Sequence, residues 1–124
     1  MALTDSILKT IKHMLGIEDD DTHFDTDIIH AINSAFFVLN QLGIGPEEPY
    51  EINGDNETWT SFDPENSKFN AVKEFIYLKT RMVFDPPQSG TVINEFNKQL
   101  DELTWRLTAH HDIQEGRVDD NTDG

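Results

Sequence analysis

A chain of 124 residues with 24 acids, nine bases and no cysteine carries a net charge of −15. The length suits one domain with a core of its own, and the missing thiols exclude disulfides, thiolate zinc sites and a cysteine nucleophile. So acidic a chain lacks the basic footprint of a duplex-DNA reader and repels DNA, which fits plain solubility or a surface that DNA must pass without sticking.

The first residues, Met1 to Asp5, have no basic region ahead of an apolar core, so no secretory signal is expected, and no apolar run nears membrane-spanning length. Thr4 or Asp5 is placed to cap a first helix in which Ile7, Leu8, Ile11, Met14 and Leu15 share one face. Gly16 supplies the stop, being free to adopt left-handed angles. The acidic run Glu18 to Asp27 follows. Within it Asp25 or Thr26 suits the N-cap of a second helix, and the carboxylates favour the positive end of its dipole. Ile28, Ile29, Ile32, Ala35, Phe36, Leu39 and Leu42 form the apolar face of that helix, and Phe37 and Val38 widen it. Gly43, Gly45 and Pro46 end it.

Gly43 to Phe62 has no sustained period. Asn53-Gly54 has the chemistry of a hairpin tip, with Tyr50 and Ile52 on one arm, although Asp55 to Thr58 is poor strand material. Glu57 to Phe62 reads as one turn of helix, and Trp59 is expected to pin the segment to the body. Asp63-Pro64 then signals a third helix: an acidic cap followed by proline at the first helical position. Phe69, Val72, Ile76 and Val83 mark one of its faces, and Phe75, Leu78 and Met82 another. A helix apolar over most of its circumference is buried on more than one side. Here that means either a central core helix or one that turns a side toward another subunit.

Phe84-Asp85-Pro86-Pro87 breaks the pattern. Pro86 has no N–H to donate and pushes Asp85 away from helical angles, and Pro87 does the same to Pro86. Ser89 or Thr91 caps a fourth helix whose stripe is Val92, Phe96, Leu100, Leu103 and Leu107, able to lie antiparallel on the third. Trp105 stands about 200° from Leu107. It is therefore either exposed or held by something beyond the third helix, such as the long loop. From Ala109 the periodicity ends, and His110, His111 and the polar residues to Gly124 read as a disordered acidic tail.

The resulting expectation is an all-α fold, a small bundle of four main helices at about 4–15, 26–42, 64–84 and 90–108. A long irregular loop occupies 43–62, and the domain of residues 1–108 is followed by a flexible tail over 109–124.

No chemistry stands out. Asp19, Asp21 and His23 alternate like the start of a calcium loop, but Phe24 occupies the sharp-turn glycine position and His30 the bidentate glutamate position. The five histidines include no H-E-x-x-H and no zinc-helix spacing, and His110-His111 reads as a solvated pair. No serine lies in G-x-S-x-G, and neither a phosphate loop nor a dinucleotide fingerprint is present. Among 24 acids nothing singles out a catalytic pair, so neither catalytic residues nor metal or other cofactors are expected.

The stretch Ala71-Val72-Lys73-Glu74-Phe75-Ile76-Tyr77-Leu78-Lys79-Thr80-Arg81-Met82-Val83-Phe84-Asp85-Pro86-Pro87 resembles the signature of the tailed-phage head–tail connector (adaptor) family. An N-terminal helix before an Asp/Asn-rich turn, Gly43-Ile44-Gly45-Pro46 leading to the Trp59 segment, and the closing Leu103-Thr104-Trp105-Arg106-Leu107 agree in order and spacing. The resemblance covers Leu3 to Leu107. It implies a structural virion protein, made in the host bacterial cytoplasm and located at the head–tail junction. Such proteins form a closed ring of about twelve subunits beneath the portal. The ring joins the DNA-filled head to a downstream stopper or tail-completion protein, and double-stranded DNA passes through without specific binding. No membrane is involved.

On this reading Trp59, Phe75, Tyr77, Phe84, Trp105, Arg106, His110 and His111 are interface candidates, and Asp85, Pro86 and Pro87 a structural hinge. Trp105 and the tail would lie near the portal, and the 43–62 loop near the ring or the downstream partner. The rival class is an acidic protein-binding regulator of a phage or bacterium, such as a DNA mimic or inhibitor. Its carboxylates should follow duplex phosphate spacing, whereas here they cluster in turns and at the tail.

Overall fold

Ser6 opens the first helix, α1 (Ile7–Leu15), because a contact distant in sequence holds it extended. It forms an isolated antiparallel bridge with Thr58, and the Ile7 N–H donates to the Glu57 carbonyl at 3.1 Å. The Ser6 hydroxyl then accepts from the Lys9 N–H at 3.2 Å, as an N-cap does. The computed structural model describes residues 6–63 and 69–123, with side-chain surroundings for 6–63 and 70–108. Thr4 and Asp5, expected as caps, lie outside that set, and the helix starts later than position 4. Gly16 ends α1 as expected, with φ 82°.

The second helix, α2 (Asp25–Gln41), has Phe24 at its N-cap position and no side-chain cap. Asp25 is engaged elsewhere. Its carboxylate meets the ammonium of Lys12 at 2.9 Å, and Lys12 also donates to the Asp19 carbonyl at 3.2 Å. Lys12 is 2% exposed. A charge so buried is tolerable only with such partners, and these two tie α1 to the acidic connection and to the start of α2.

The segment after α2 is the least regular and among the best anchored. No hairpin forms at Asn53-Gly54, and the described residues contain no strand. The Asn33 side-chain amide replaces a partner strand. It donates to the Ile52 carbonyl at 3.0 Å and accepts from the Ile52 N–H at 2.8 Å. The Glu57 carboxylate folds back to accept from the N–H groups of Asn53 (2.9 Å) and Gly54 (3.4 Å). The expected single helical turn is α3 (Trp59–Phe62), closed by a reciprocal capping box between Thr58 and Ser61. Trp59 is fully buried and donates its indole N–H to the Thr10 hydroxyl at 3.1 Å, so it pins the loop to α1. Phe36, Tyr50 and Phe62 pack as three rings with centroids 5.0–5.4 Å apart. Gly45 (φ 94°) lies under that cluster, where a Cβ would come within 2.5 Å of the Phe62 ring.

Asp63 belongs to the end of α3, its N–H donating to the Trp59 carbonyl at 2.9 Å, while Pro64 lies outside the described residues. The third long helix is therefore described from Phe69, as α4 (Phe69–Phe84). It packs against α1, α2 and the last helix, α5 (Gly90–Asp123). Most of its nearly all-round apolar surface is thus absorbed within one chain, Val83 near its end being the exception. Val72, Phe75, Ile76 and Leu78 are all buried.

The four-helix, all-α architecture follows the expected pattern, with α5 differing in length. Its backbone is helical from Gly90 to Asp123. After Gly90 there is no proline, and Gly116 is the one glycine before the chain end at Gly124, so little interrupts the ladder.

Candidate functional site

Two places on the surface combine apolar exposure with fixed geometry, and the proline break stands between them. At the break, Arg81 does three things at once. Its Nη1 donates to the Tyr77 hydroxyl at 3.2 Å, its Nε donates to the Asp85 carbonyl at 3.2 Å, and its guanidinium sits 5.3 Å from the centroid of Phe96 on α5. A planar cation at a helix C-terminus suits the end of the dipole, and stacking on an aromatic face suits guanidinium above ammonium. The Asp85-Pro86-Pro87 hinge is therefore locked by a side chain one turn before it.

On the far side of α5, the buried stripe Leu100, Leu103 and Leu107 faces α4, and Trp105 points out, 70% exposed. Asp101, Glu102 and Arg106 surround it in a shallow concavity of about 410 Å³. Arg106 pairs with Glu102 at 3.6 Å, with both side chains largely exposed.

The second place is a notch of about 510 Å³ where the start of α2 meets the end of α4. Phe24 and Phe84 stack edge to face at 5.3 Å, Val83 is 70% exposed beside them, and Asp27 and His30 stand on the α2 side.

The sequence-proposed interface residues are dispersed. Trp59 and Phe75 are interior, 0% and 1% exposed, so neither can meet a neighbour: the loop and α1 cover the first, and the packing around α4 covers the second. Tyr77 is half-buried and held by Arg81. Phe84 is half-buried and forms part of the notch. Trp105 and Arg106 share the outer face of α5, while the side chains of His110 and His111 lie outside the described residues.

Sequence reasoning missed Phe24, Val83 and Phe37 as exposed groups; Phe37 is 51% exposed. Phe37 was recoverable, because it sits about 100° past Phe36 and off the Ile28–Ile32–Leu39 stripe. The notch was not, since it is made by two helices far apart in sequence. Among the described residues, no three His, Asp or Glu side chains are grouped as a metal site, and no helix is long and apolar enough to cross a membrane.

The family model described as phage connector protein matches residues 7–114. No curated protein matches the chain, and no solved structure does.

Proposed function

The chain belongs to the phage connector protein family, a structural, non-enzymatic kind of phage protein, and from that premise we propose that it is the ring-forming adaptor beneath the portal. In this reading about twelve copies close a ring that joins the DNA-filled head to the tail or to the next head-completion protein. DNA passes through on ejection. The single observation that carries the reading is the exposure of Trp105 on a chain whose core closes without it: α4 is covered by α1, α2 and α5, and the outer face of α5 is left for a partner. Large aromatics beside an arginine at an exposed centre are the composition of an interface anchor.

Two further features support the reading. A net charge of −15 suits a channel that must not grip DNA. The helical extension of α5 beyond Thr108 carries no apolar stripe, so it suits a segment stabilised by docking on the portal.

The test is mass by light scattering across concentration, followed by electron microscopy of the chain mixed with purified portal protein. The expected result is a ring on the portal, whether or not the free chain is monomeric. A chain that stays monomeric and never joins the portal removes the reading.

A further inference from the structure

Once the core is closed, two separate surfaces with exposed apolar groups are left over. The notch between α2 and α4 is lined on its apolar side by Phe24, Ala31, Val83 and Phe84. The outer face of α5 projects an indole, Trp105. A third ring entering the notch meets an edge-to-face pair already formed at 5.3 Å, the arrangement to which aromatic rings add most readily. The rims match as well. Asp27 and His30 are one helical turn apart at the notch, and Glu102 and Arg106 are one turn apart at the ridge. Arg106 can therefore face Asp27 while Glu102 faces His30. The Glu102–Arg106 pair that must loosen is solvent-exposed and of a kind that contributes little. In a chain of net charge −15, contact between copies must be apolar or must set a cation against an acid, and this pairing does both.

We infer that the two surfaces are the two halves of one head-to-tail contact between copies of this chain, with Trp105 of one copy seated in the Phe24–Val83–Phe84 notch of the next and Arg106 meeting Asp27. Because ridge and notch are different surfaces, the contact is heterologous and passes from copy to copy, closing as a ring or running on as a filament. Its place in a particle rests on the connector reading, whereas the contact itself needs only two copies.

The absence of native cysteine makes disulfide trapping clean. Val83→Cys and Glu102→Cys chains are prepared separately, checked for an unchanged melting temperature, mixed in equal amounts with and without portal protein, and oxidised. The 83–102 heterodisulfide should clearly outweigh the two homodisulfides taken together, which random pairing of equal amounts would only equal. Adding Trp105→Ala to the Glu102→Cys chain should cut its yield about tenfold, as loss of a central aromatic anchor does. Arg106→Glu or Asp27→Arg alone should suppress it, and each variant's chain should cross-link with the other's. Random pairing of the three disulfides, or a yield indifferent to Trp105→Ala, overturns the contact. Rings that form on the portal despite Trp105→Ala leave the connector reading standing and remove this contact. A trapped heterodisulfide in a chain that never joins the portal does the reverse.

Discussion

The loop from Gly43 to Phe62 and the helix α5 invert the usual association of regularity with burial. The loop has one helical turn and no strand, yet Ile44, Ile52, Trp59 and Phe62 are buried, and Asn33, Glu57 and Thr10 bond its backbone or its indole. The helix is regular throughout, yet it buries one stripe and leaves the chain's second tryptophan, Trp105, to solvent. A short chain needs every large apolar group it can bury, so the loop is recruited into the core. A regular helix satisfies its own backbone and can leave a face free. If the proposed contact holds, stability and assembly fall to different regions, and the two tryptophans mark them.

Substitutions test that division in descending order of effect. Trp59→Ala removes the largest buried side chain and should cost about 3–5 kcal/mol, enough to unfold much of a marginal domain; urea denaturation followed by circular dichroism measures it. Asn33→Ala leaves the Ile52 N–H and carbonyl without their partner and should cost about 2 kcal/mol by the same measurement. Gly45→Ala places a methyl against the Phe62 ring at a left-handed φ and should cost about 1–2 kcal/mol, read as a lowered melting temperature. Trp105→Ala should move monomer stability by less than about 0.5 kcal/mol while abolishing association, seen by sedimentation velocity. Equal costs at Trp59 and Trp105 would erase the distinction. A stable Trp59→Ala chain would show that the loop is ornamental.

Much of this was legible in residue order. The stripes of α1 and α2, those of α4 and α5 apart from Val83 and Val92, which are exposed, the stops at Gly16 and Pro86-Pro87, the anchoring role of Trp59 and the outward angle of Trp105 all follow from helical period and local backbone chemistry. What was hidden depended on groups distant in sequence. Ser6 caps α1 because Thr58 holds it, Asp25 does not cap α2 because Lys12 takes its carboxylate, and Asn53-Gly54 makes no hairpin because an asparagine side chain does the work of a strand. The ridge was visible at Trp105, but its matching notch exists only where Phe24 meets Val83 and Phe84.

The guanidinium of Arg81 has a consequence for curvature. Trp105 lies on α5 and the notch on α2 and α4, so in the proposed contact the bend at Asp85-Pro86-Pro87, with the packing of α5 on α4, sets the angle between the two surfaces of each copy. In a closed circle every joint must turn by the full circle divided by the number of copies, and a small drift repeated at each joint gives a spiral that misses its own start. By bracing the bend against Tyr77, the Asp85 carbonyl and Phe96, Arg81 limits that drift. Loosening it should broaden the distribution of ring sizes before it weakens any single contact.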